Sequence, residues 1–211
     1  MTRFVTDPND APRIDRRDFV RALLEDRGGL IVVSGLGSST YDVAAAGDHP
    51  LNVYQWGGMG GTLMIGLGLA LAQPQRRVAV VTGDGDALMG LGSLATIGVQ
   101  QPENLSIVVL DNGVYGETGM QLSHTSAGVD LVGVSAACRF AQSSTVTRLS
   151  DATMVRVLLH EGRGPILVRV RIATTDVSRV LPTRDGHELR QRFATALRLP
   201  SRPNDPIPPR D

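Results

Sequence analysis

Two short polar segments, each after an apolar run, hold the residues of this sequence that are best suited to chemistry. Gly83-Asp84-Gly85 follows the mostly apolar run 77–82, and Asn112 comes shortly after the run 105–110. A carboxylate, an amide oxygen and a turn carbonyl are ligands that Mg²⁺ or Ca²⁺ prefers, with phosphate oxygens completing the octahedron. The glycines let the backbone approach a ligand closely. These residue types therefore predict a site for a divalent metal together with an anion.

The spacing of Asp84 and Asn112 favours one shared site over two unrelated turns. They lie 28 positions apart (112 − 84 = 28), which fits one helix and one returning strand. A right-handed crossover then brings both strand ends to the same edge of the sheet, where open α/β sheets bind their ligands. A helix beginning near Asp86 would direct its free N–H groups and positive dipole end to that point. Either residue alone is more typical of an ordinary turn, but the pair favours a site.

Alternating strand and helix patterns place these residues in an α/β fold. Short apolar runs bounded by glycine, proline or polar residues are typical of buried parallel strands, and longer amphipathic or apolar stretches are typical of helices. The prediction is a three-layer, doubly wound parallel sheet in one domain (13–199), between a flexible arm (1–12) and a disordered tail (200–211). In the first helix the arginines and acids are expected to face water. The predicted strands are 30–34, 51–54, 77–82, 105–110, 143–146 and 166–170, and the predicted helices are 14–27, 41–46, 62–72, 87–100, 129–140, 149–160 and 188–199.

Composition excludes several classes of function. Lys+Arg and Asp+Glu each number 21, so no net positive charge marks a nucleic-acid binder. Cys138 is the single cysteine, which excludes a disulfide framework or a zinc cluster. The first residues carry no apolar signal-peptide core, and the longest apolar region, 62–72, is too short to cross a bilayer. A cytoplasmic protein is expected, without membrane or nucleic-acid partners.

A glycine-rich segment before the apolar helix 62–72 is a second candidate for ligand contact. Four glycines surround one methionine in Gly57-Gly58-Met59-Gly60-Gly61. The segment would let the backbone approach a flat ligand, with Met59 as a polarisable apolar wedge. The alternative is that the glycines only permit close packing of helix on sheet, with Met59 in the core.

The residues around Asp84 and Asn112 resemble a known family. Gly83-Asp84-Gly85, 26 further residues (86–111) and then Asn112 is similar to the diphosphate-binding motif of thiamine diphosphate (ThDP) enzymes. Sulfopyruvate and phosphonopyruvate decarboxylases resemble the sequence segment GDGDALMGLGSLATIGVQQPENLSIVVLDNGVYGETG. The resemblance runs from about Leu30 to Val170. It implies Mg²⁺ bound by the Asp84 carboxylate, the Asn112 side-chain oxygen and the Val114 carbonyl. Many members have Asn-Asn where this chain has Asp111-Asn112, a departure that concerns orientation more than ligation.

The same resemblance implies a wider set of cofactor contacts. In the family, the segment that matches Gly58-Met59-Gly60 contacts the aminopyrimidine, and an apolar residue there holds the cofactor in a bent V shape. The loop 35–40 resembles a loop that often lies near the cofactor, and its third fingerprint position is Thr40, so it is not a dinucleotide-binding loop. The cofactor-binding residues implied in this way are Gly58, Met59, Gly60, Gly83, Asp84, Gly85, Asp86, Asn112, Val114 and Tyr115.

The polar segment 116–126 is expected to form a loop over the site. It contains Glu117 and His124, the only histidine near the proposed chemistry. Each is first of all an exposed loop residue. The alternatives are a substrate or proton-transfer role for His124 and a place in the substrate pocket for Glu117. Catalytic residues are therefore left unassigned.

The resemblance implies that the cofactor carries out the difficult chemistry, the decarboxylation of a small 2-oxo acid. In the family, a glutamate on a separate pyrimidine-binding domain activates the cofactor, and no candidate for that domain is found here. The prediction is the ThDP- and Mg²⁺-binding β subunit of a split decarboxylase, oligomeric and active with a pyrimidine-binding α subunit. Two alternatives stay open: half of another ThDP lyase, such as an acetolactate-synthase-like carboligase, and a non-catalytic Mg²⁺-diphosphate-binding module that regulates a partner.

Overall fold

The computed structural model describes residues 14–175 and 177–198, and within them six parallel strands form one sheet in the order β2-β1-β3-β4-β8-β7. The central strands carry the apolar runs of the sequence, and every residue of β4 is buried. This is the buried parallel sheet that the sequence predicts. The strands of this sheet are β1 (Ile31–Ser34), β2 (Asn52–Tyr54), β3 (Val78–Gly83), β4 (Leu105–Asp111), β7 (Gln142–Val146) and β8 (Ile166–Arg171).

Helices cover both faces of the sheet and give the three-layer arrangement. One core lies between the sheet and α1, α2 and α7, and a second core lies between the sheet and α3, α4, α5 and α6. The last helix, α8, packs beside the edge strand β2. The predicted α/β fold class is therefore confirmed. The helices are α1 (Arg16–Leu23), α2 (Ser38–Ala45), α3 (Thr62–Ala72), α4 (Asp84–Met89), α5 (Ser93–Gln100), α6 (Leu131–Ala137), α7 (Ala152–Glu161) and α8 (Gly186–Ala196).

The predicted helix 87–100 is wrong as a single element. The structure has α4 and α5 instead, separated at Gly90–Gly92. A side chain at position 90 would overlap the carbonyl oxygen of Gly60, so the chain turns where it passes the glycine-rich segment. The first helical element also starts at Asp84, three residues before the predicted start at position 87, and it has only six residues.

The first helix is shorter than the predicted range 14–27, and its charged face differs from the prediction. The side chain of Asp15 caps α1, and the helix ends at Leu23. Arg16 and Arg27 are 7% and 8% exposed, so the expectation that the arginines face water is wrong for these two. Arg27 donates to the side chain of Asn52 and to the carbonyl of Leu30, and this fastens the end of α1 to the edge of the sheet.

The sequence did not predict a small antiparallel ribbon in the segment after β4. Its strands are β5 (Val114–Tyr115) and β6 (Gln121–Leu122), joined by a 3₁₀ turn at Gly116–Thr118. Both strands are two residues long, too short to show the period of two by which strands are recognised. The predicted loop over the site is therefore partly ordered as a hairpin.

Several predictions concern parts of the chain outside this description. The arm 1–12 and the tail 200–211 both lie outside the described residues. Within the described residues, no helix is both long and apolar enough to cross a membrane.

Candidate functional site

A cavity of about 460 Å³ opens at the carboxyl ends of β1, β3 and β4. Gly83 of β3 pairs with Leu110 of β4, so the residues that follow the two strands begin at the same edge. This confirms that one crossover brings Asp84 and Asn112 together. The predicted site residues that line the cavity are Met59, Gly83, Asp84, Gly85, Asp86, Asn112, Val114, Tyr115, Glu117 and His124.

Asp84 is a buried side chain at the start of a helix, and not the ordinary turn residue of the alternative interpretation. It is the first residue of α4 and only 2% exposed. The hydroxyl of Ser123 donates to its Oδ2 at 2.5 Å, and the hydroxyl of Thr125 donates to the same oxygen at 3.3 Å. The segment that follows the β5–β6 ribbon therefore orients this carboxylate.

Asp111, where many relatives were expected to have asparagine, belongs to the same network. Its Oδ1 accepts from Thr125 Oγ1 at 2.8 Å and from the Gly113 amide at 2.9 Å. Its Oδ2 accepts from Arg169 Nε at 2.5 Å in a partly buried ion pair. Arg169 therefore compensates the extra charge of Asp111. That this departure concerns orientation more than ligation stays a prediction.

Asp84 has no such cation among the described residues. Its burial, with the negative charge of Asp111 adding to it, raises the pKa of Asp84 to about 6. A buried carboxylate whose charged form is disfavoured is suited to a bound cation, which restores the charged form. The donor set therefore fits a divalent metal at this edge.

The expected amide ligand is oriented by the backbone that follows it. Asn112 Oδ1 accepts from the Val114 amide at 3.0 Å, which orients the side chain. In the part of the chain that the structure describes, no group of three or more His, Cys, Asp or Glu side chains could hold a metal alone. One carboxylate, one amide and one carbonyl are an incomplete set for Mg²⁺, so the remaining ligands would be phosphate oxygens or water.

The glycine-rich segment lies beside this cavity and is held by Asp86. The amide of Gly60 donates to Asp86 Oδ1 at 2.5 Å, and the hydroxyl of Thr82 bonds the other carboxylate oxygen. Gly60 has φ +87°, a conformation that glycine adopts without strain. Asp86 therefore positions the segment, a role that the sequence analysis did not foresee for this predicted cofactor contact. Gly58 and Gly60 are not among the residues that line the cavity.

Met59 lies at the cavity, so the alternative that places it in the core is wrong. It is 37% exposed, and its Cε is 3.3 Å from the place where a Cβ on Gly85 would be. The ring of Tyr115 lies 3.0 Å from the same place. Position 85 therefore has little room for a side chain, and the backbone of α4 is accessible from the cavity between these two groups.

His124 and Glu117 both lie at the wall of the cavity and not only in an exposed loop. His124 Nδ1 is 2.5 Å from the hydroxyl of Tyr115, and the two rings meet edge to face. Glu117 packs against Gly37, the residue before α2. The contact is so close that a side chain at position 37 would overlap the Glu117 carboxylate. The catalytic roles considered for these two residues stay predictions.

Sequence reasoning placed the loop 35–40 near the cofactor by resemblance, but it predicted no site residue on this side of the cavity. The start of α2 and one buried charge cluster form this side, and the cluster includes Arg16 of α1. The loop 35–40 follows β1, and β1 pairs with β3. Its position at the end of a strand next to β3 could have predicted that it lines the site. The missed residues on this side are Arg16, Leu36, Ser38, Ser39, Asp42 and Ile172.

The doubly wound sheet and the oxygen donors at its carboxyl edge define an α/β domain suited to a diphosphate held through a divalent metal. Comparison with known proteins identifies the family within this class. Residues 35–170 match the family described as "Thiamine pyrophosphate enzyme, C-terminal TPP binding domain". The chain belongs to this family, and the resemblance seen in the sequence is confirmed. Thiamine diphosphate is the cofactor of the family, and Mg²⁺ is its usual metal.

Relatives of known name extend the comparison. The chain is 37% identical over 189 residues to a phosphonopyruvate decarboxylase from Streptomyces hygroscopicus, covering 89% of this chain and 47% of that protein. It is 33% identical over 186 residues to the sulfopyruvate decarboxylase subunit beta of Methanothermobacter thermautotrophicus, covering 88% of this chain and 95% of that one. The chain thus spans less than half of the phosphonopyruvate decarboxylase and nearly all of the beta subunit.

Solved structures agree on the fold. The benzoylformate decarboxylase of Polynucleobacter necessarius superposes with a TM-score of 0.69 at 19% identity, covering 85% of this chain and 36% of that chain. A putative ThDP-dependent enzyme from Mycobacterium smegmatis gives a TM-score of 0.64 at 21% identity, covering 82% of this chain and 36% of that chain. The identities are too low to carry an activity, so these neighbours establish the ThDP-enzyme fold alone.

Proposed function

We propose that this chain is the ThDP- and Mg²⁺-binding subunit of a split decarboxylase that acts on a small 2-oxo acid. The observation that carries the proposal is the buried carboxylate of Asp84, which lies at the cavity with Asn112 and has no cation of its own among the described residues. The names of relatives support the reaction class, since phosphonopyruvate and sulfopyruvate decarboxylases both match most of this chain.

The chain contributes the binding and orientation of the cofactor. Asp84, the Asn112 side-chain oxygen and the Val114 carbonyl would hold Mg²⁺, and the metal would bind the diphosphate. ThDP supplies the electron sink for the loss of CO₂ from a 2-oxo acid. Met59, held over the cavity by the segment that Asp86 fastens, would orient the rings of the cofactor. Orientation of this kind acts on the rate because it fixes the geometry of the reacting atoms.

The wall that includes His124 and Tyr115 is our candidate for handling protons. The hydroxyl of Tyr115 and Nδ1 of His124 share a hydrogen bond at 2.5 Å, which holds the imidazole at the cavity. An imidazole can accept or donate a proton near neutral pH. Glu117, at the same wall, is our candidate for a substrate contact.

A partner subunit is part of the proposal because apolar side chains at the cavity and on the neighbouring ribbon are exposed. Met59 (37%) and Met89 (68%) line the cavity and are exposed, and Met120 (51%) and Leu122 (65%) are exposed on the segment of the β5–β6 ribbon. An exposed apolar surface of this kind is typical of a protein interface. Among the described residues, Glu117 is the only glutamate at the cavity, and it packs against Gly37. The activating glutamate would come from a pyrimidine-binding subunit, with the active site at the interface.

The test is decarboxylation of a set of 2-oxo acids by the purified chain, alone and with a candidate pyrimidine-binding subunit. We expect no turnover by the chain alone and CO₂ release with the partner. Formation of a carboligation product in place of an aldehyde would select the carboligase alternative. Cofactor binding without any turnover would select the regulatory module. Robust turnover by the chain alone, with contaminating partner excluded by mass spectrometry, would overturn the split-enzyme proposal. The cytoplasmic location stays a prediction.

A further inference from the structure

Two carboxylates lie close together at the edge of the sheet, but only one of them lines the cavity. Asp84 lines it, whereas Asp111, which is 2% exposed, does not, although its neighbours Leu110 and Asn112 do. The hydroxyl of Thr125 contacts both carboxylates, at 3.3 Å from Asp84 Oδ2 and at 2.8 Å from Asp111 Oδ1. Because one hydroxyl spans the two groups, Asp111 is near enough to act on a cation that Asp84 holds.

Both oxygens of Asp111 are occupied by donors of the chain. Besides the hydroxyl already named, Oδ1 accepts from the amide of Gly113 at 2.9 Å, and Oδ2 accepts from Arg169 Nε at 2.5 Å. The side chain of Arg169 is only 13% exposed, so solvent and salt weaken this pair little. Gly113 lies between Asn112 and Val114, so the carboxylate held by Arg169 also fixes the turn that carries the expected amide and carbonyl ligands.

A second free carboxylate would change what the site can bind. The affinity of an oxygen site for a bare divalent cation follows the charge of its ligands, so an added carboxylate strengthens it. The same carboxylate would occupy a position on the metal, and its charge would repel the phosphate oxygens that complete the coordination of Mg²⁺. A metal that must bind an organic diphosphate is therefore better served by one free carboxylate and a second one that is neutralised.

We propose that Arg169 is a positioning residue that withholds Asp111 from the metal. Asp84 is then the single carboxylate ligand, and the remaining positions stay open to a diphosphate. This inference rests on the proposed function, in which Asp84 and Asn112 hold the metal of a bound diphosphate. A guanidinium is always charged and matches a carboxylate in geometry, so it is suited to this task. Arg169 lies on β8 and does not line the cavity, so it acts through Asp111.

The test measures two affinities of each variant, with and without the partner subunit. The first is the affinity for Mn²⁺ alone, by electron paramagnetic resonance, and the second is the affinity for ThDP at saturating Mn²⁺, by calorimetry. In Arg169→Gln the charge of Asp111 is no longer neutralised. We expect Mn²⁺ alone to bind about 10-fold more tightly and ThDP to bind about 10- to 100-fold more weakly. A merely structural role of Arg169 would lower both affinities, so the opposite signs identify a withheld carboxylate.

The double variant Arg169→Gln with Asp111→Asn should restore both affinities. Asparagine keeps the shape of the side chain and can still accept from Gly113, but it has no charge to present to the metal. Arg163→Gln is the matched control, since Arg163 and Glu103 form a pair of the same 2.5 Å length that is exposed and lies before the amino ends of β4 and β8. This control should change neither affinity.

Thermal unfolding without ligand checks that each variant is folded. The inference is overturned if both affinities fall together in Arg169→Gln, if neither changes, or if the double variant stays defective. Should Arg169→Gln fail to fold, the double variant decides: wild-type affinities support the inference, and a double variant that is unfolded, or folded without ThDP affinity, overturns it. If the wild-type chain binds no ThDP with or without its partner, the proposed function fails, whereas the affinity for Mn²⁺ alone still tests Arg169.

Discussion

Asp86 offers the sharpest test of how the chain positions its glycine-rich segment. The carboxylate is 4% exposed and bonds the amide of Gly60 on one side and the hydroxyl of Thr82 on the other. Asp86→Ala removes both bonds, and it leaves the fully buried hydroxyl of Thr82 and the partly buried amide of Gly60 without this partner. Asp86→Asn keeps the shape, and its amide can accept from Gly60 and donate to Thr82.

Asp86→Ala should lower the free energy of unfolding by about 2–4 kcal/mol. Each group left unpaired costs about 1–3 kcal/mol, and removing the buried charge of Asp86 offsets part of this cost. Asp86→Asn should cost less than about 1 kcal/mol, since both bonds persist. Urea unfolding of the chain without ligand measures this. With a slope of about 2 kcal/mol/M, the alanine variant should unfold at about 1–2 M less urea. Equal midpoints for the two variants would refute the anchoring role of Asp86.

Three further substitutions test separate parts of the site. Asp84→Asn should lower the Mg²⁺-dependent affinity for ThDP by more than about 100-fold, and the chain should stay folded because the amide oxygen still accepts from Ser123. Calorimetry measures this beside the exposed control variant Asp18→Asn, and an unchanged affinity contradicts the prediction. Met59→Ala should reduce turnover of the complex by about 10- to 100-fold, and by more than it weakens cofactor binding. Steady-state kinetics beside Met64→Ala, an exposed methionine away from the cavity, measures this, and normal turnover would remove the orienting role. Gly90→Ala should destabilise the chain by about 1–3 kcal/mol, because the new Cβ overlaps the Gly60 carbonyl, whereas Gly92→Ala has free space and should be neutral in the same unfolding experiment.

The sequence predicted the parts of the site that depend on local pattern and spacing. Buried parallel strands appear as continuous apolar runs, and one crossover of ordinary length connects Asp84 to Asn112, so their common edge followed from the order of the runs. The helix 62–72 was predicted with its exact bounds because it is apolar throughout and begins directly after glycines. These features need no knowledge of which distant residues meet.

The rest depends on contacts between residues far apart in the chain. The burial of Arg16 follows from Asp42 on the next helix, and an arginine on an amphipathic helix otherwise faces water. Asp111 is compensated by Arg169, which lies 58 positions later on β8. The break between α4 and α5 exists because Gly90 passes against Gly60 of another segment. No local pattern encodes these pairings, so sequence reasoning gave the position of the site but not the groups that hold it.

The central claim is that Asp84, Asn112 and the Val114 carbonyl hold the metal of a bound diphosphate. Crystals of the chain, with its partner if needed, grown with ThDP and Mn²⁺ in place of Mg²⁺, test this by the anomalous signal of the metal. We predict one strong peak at the carboxyl ends of β3 and β4, about 2.0–2.2 Å from one oxygen of each of the three residues. A bound diphosphate whose metal lies away from Asp84 and Asn112 would contradict the claim.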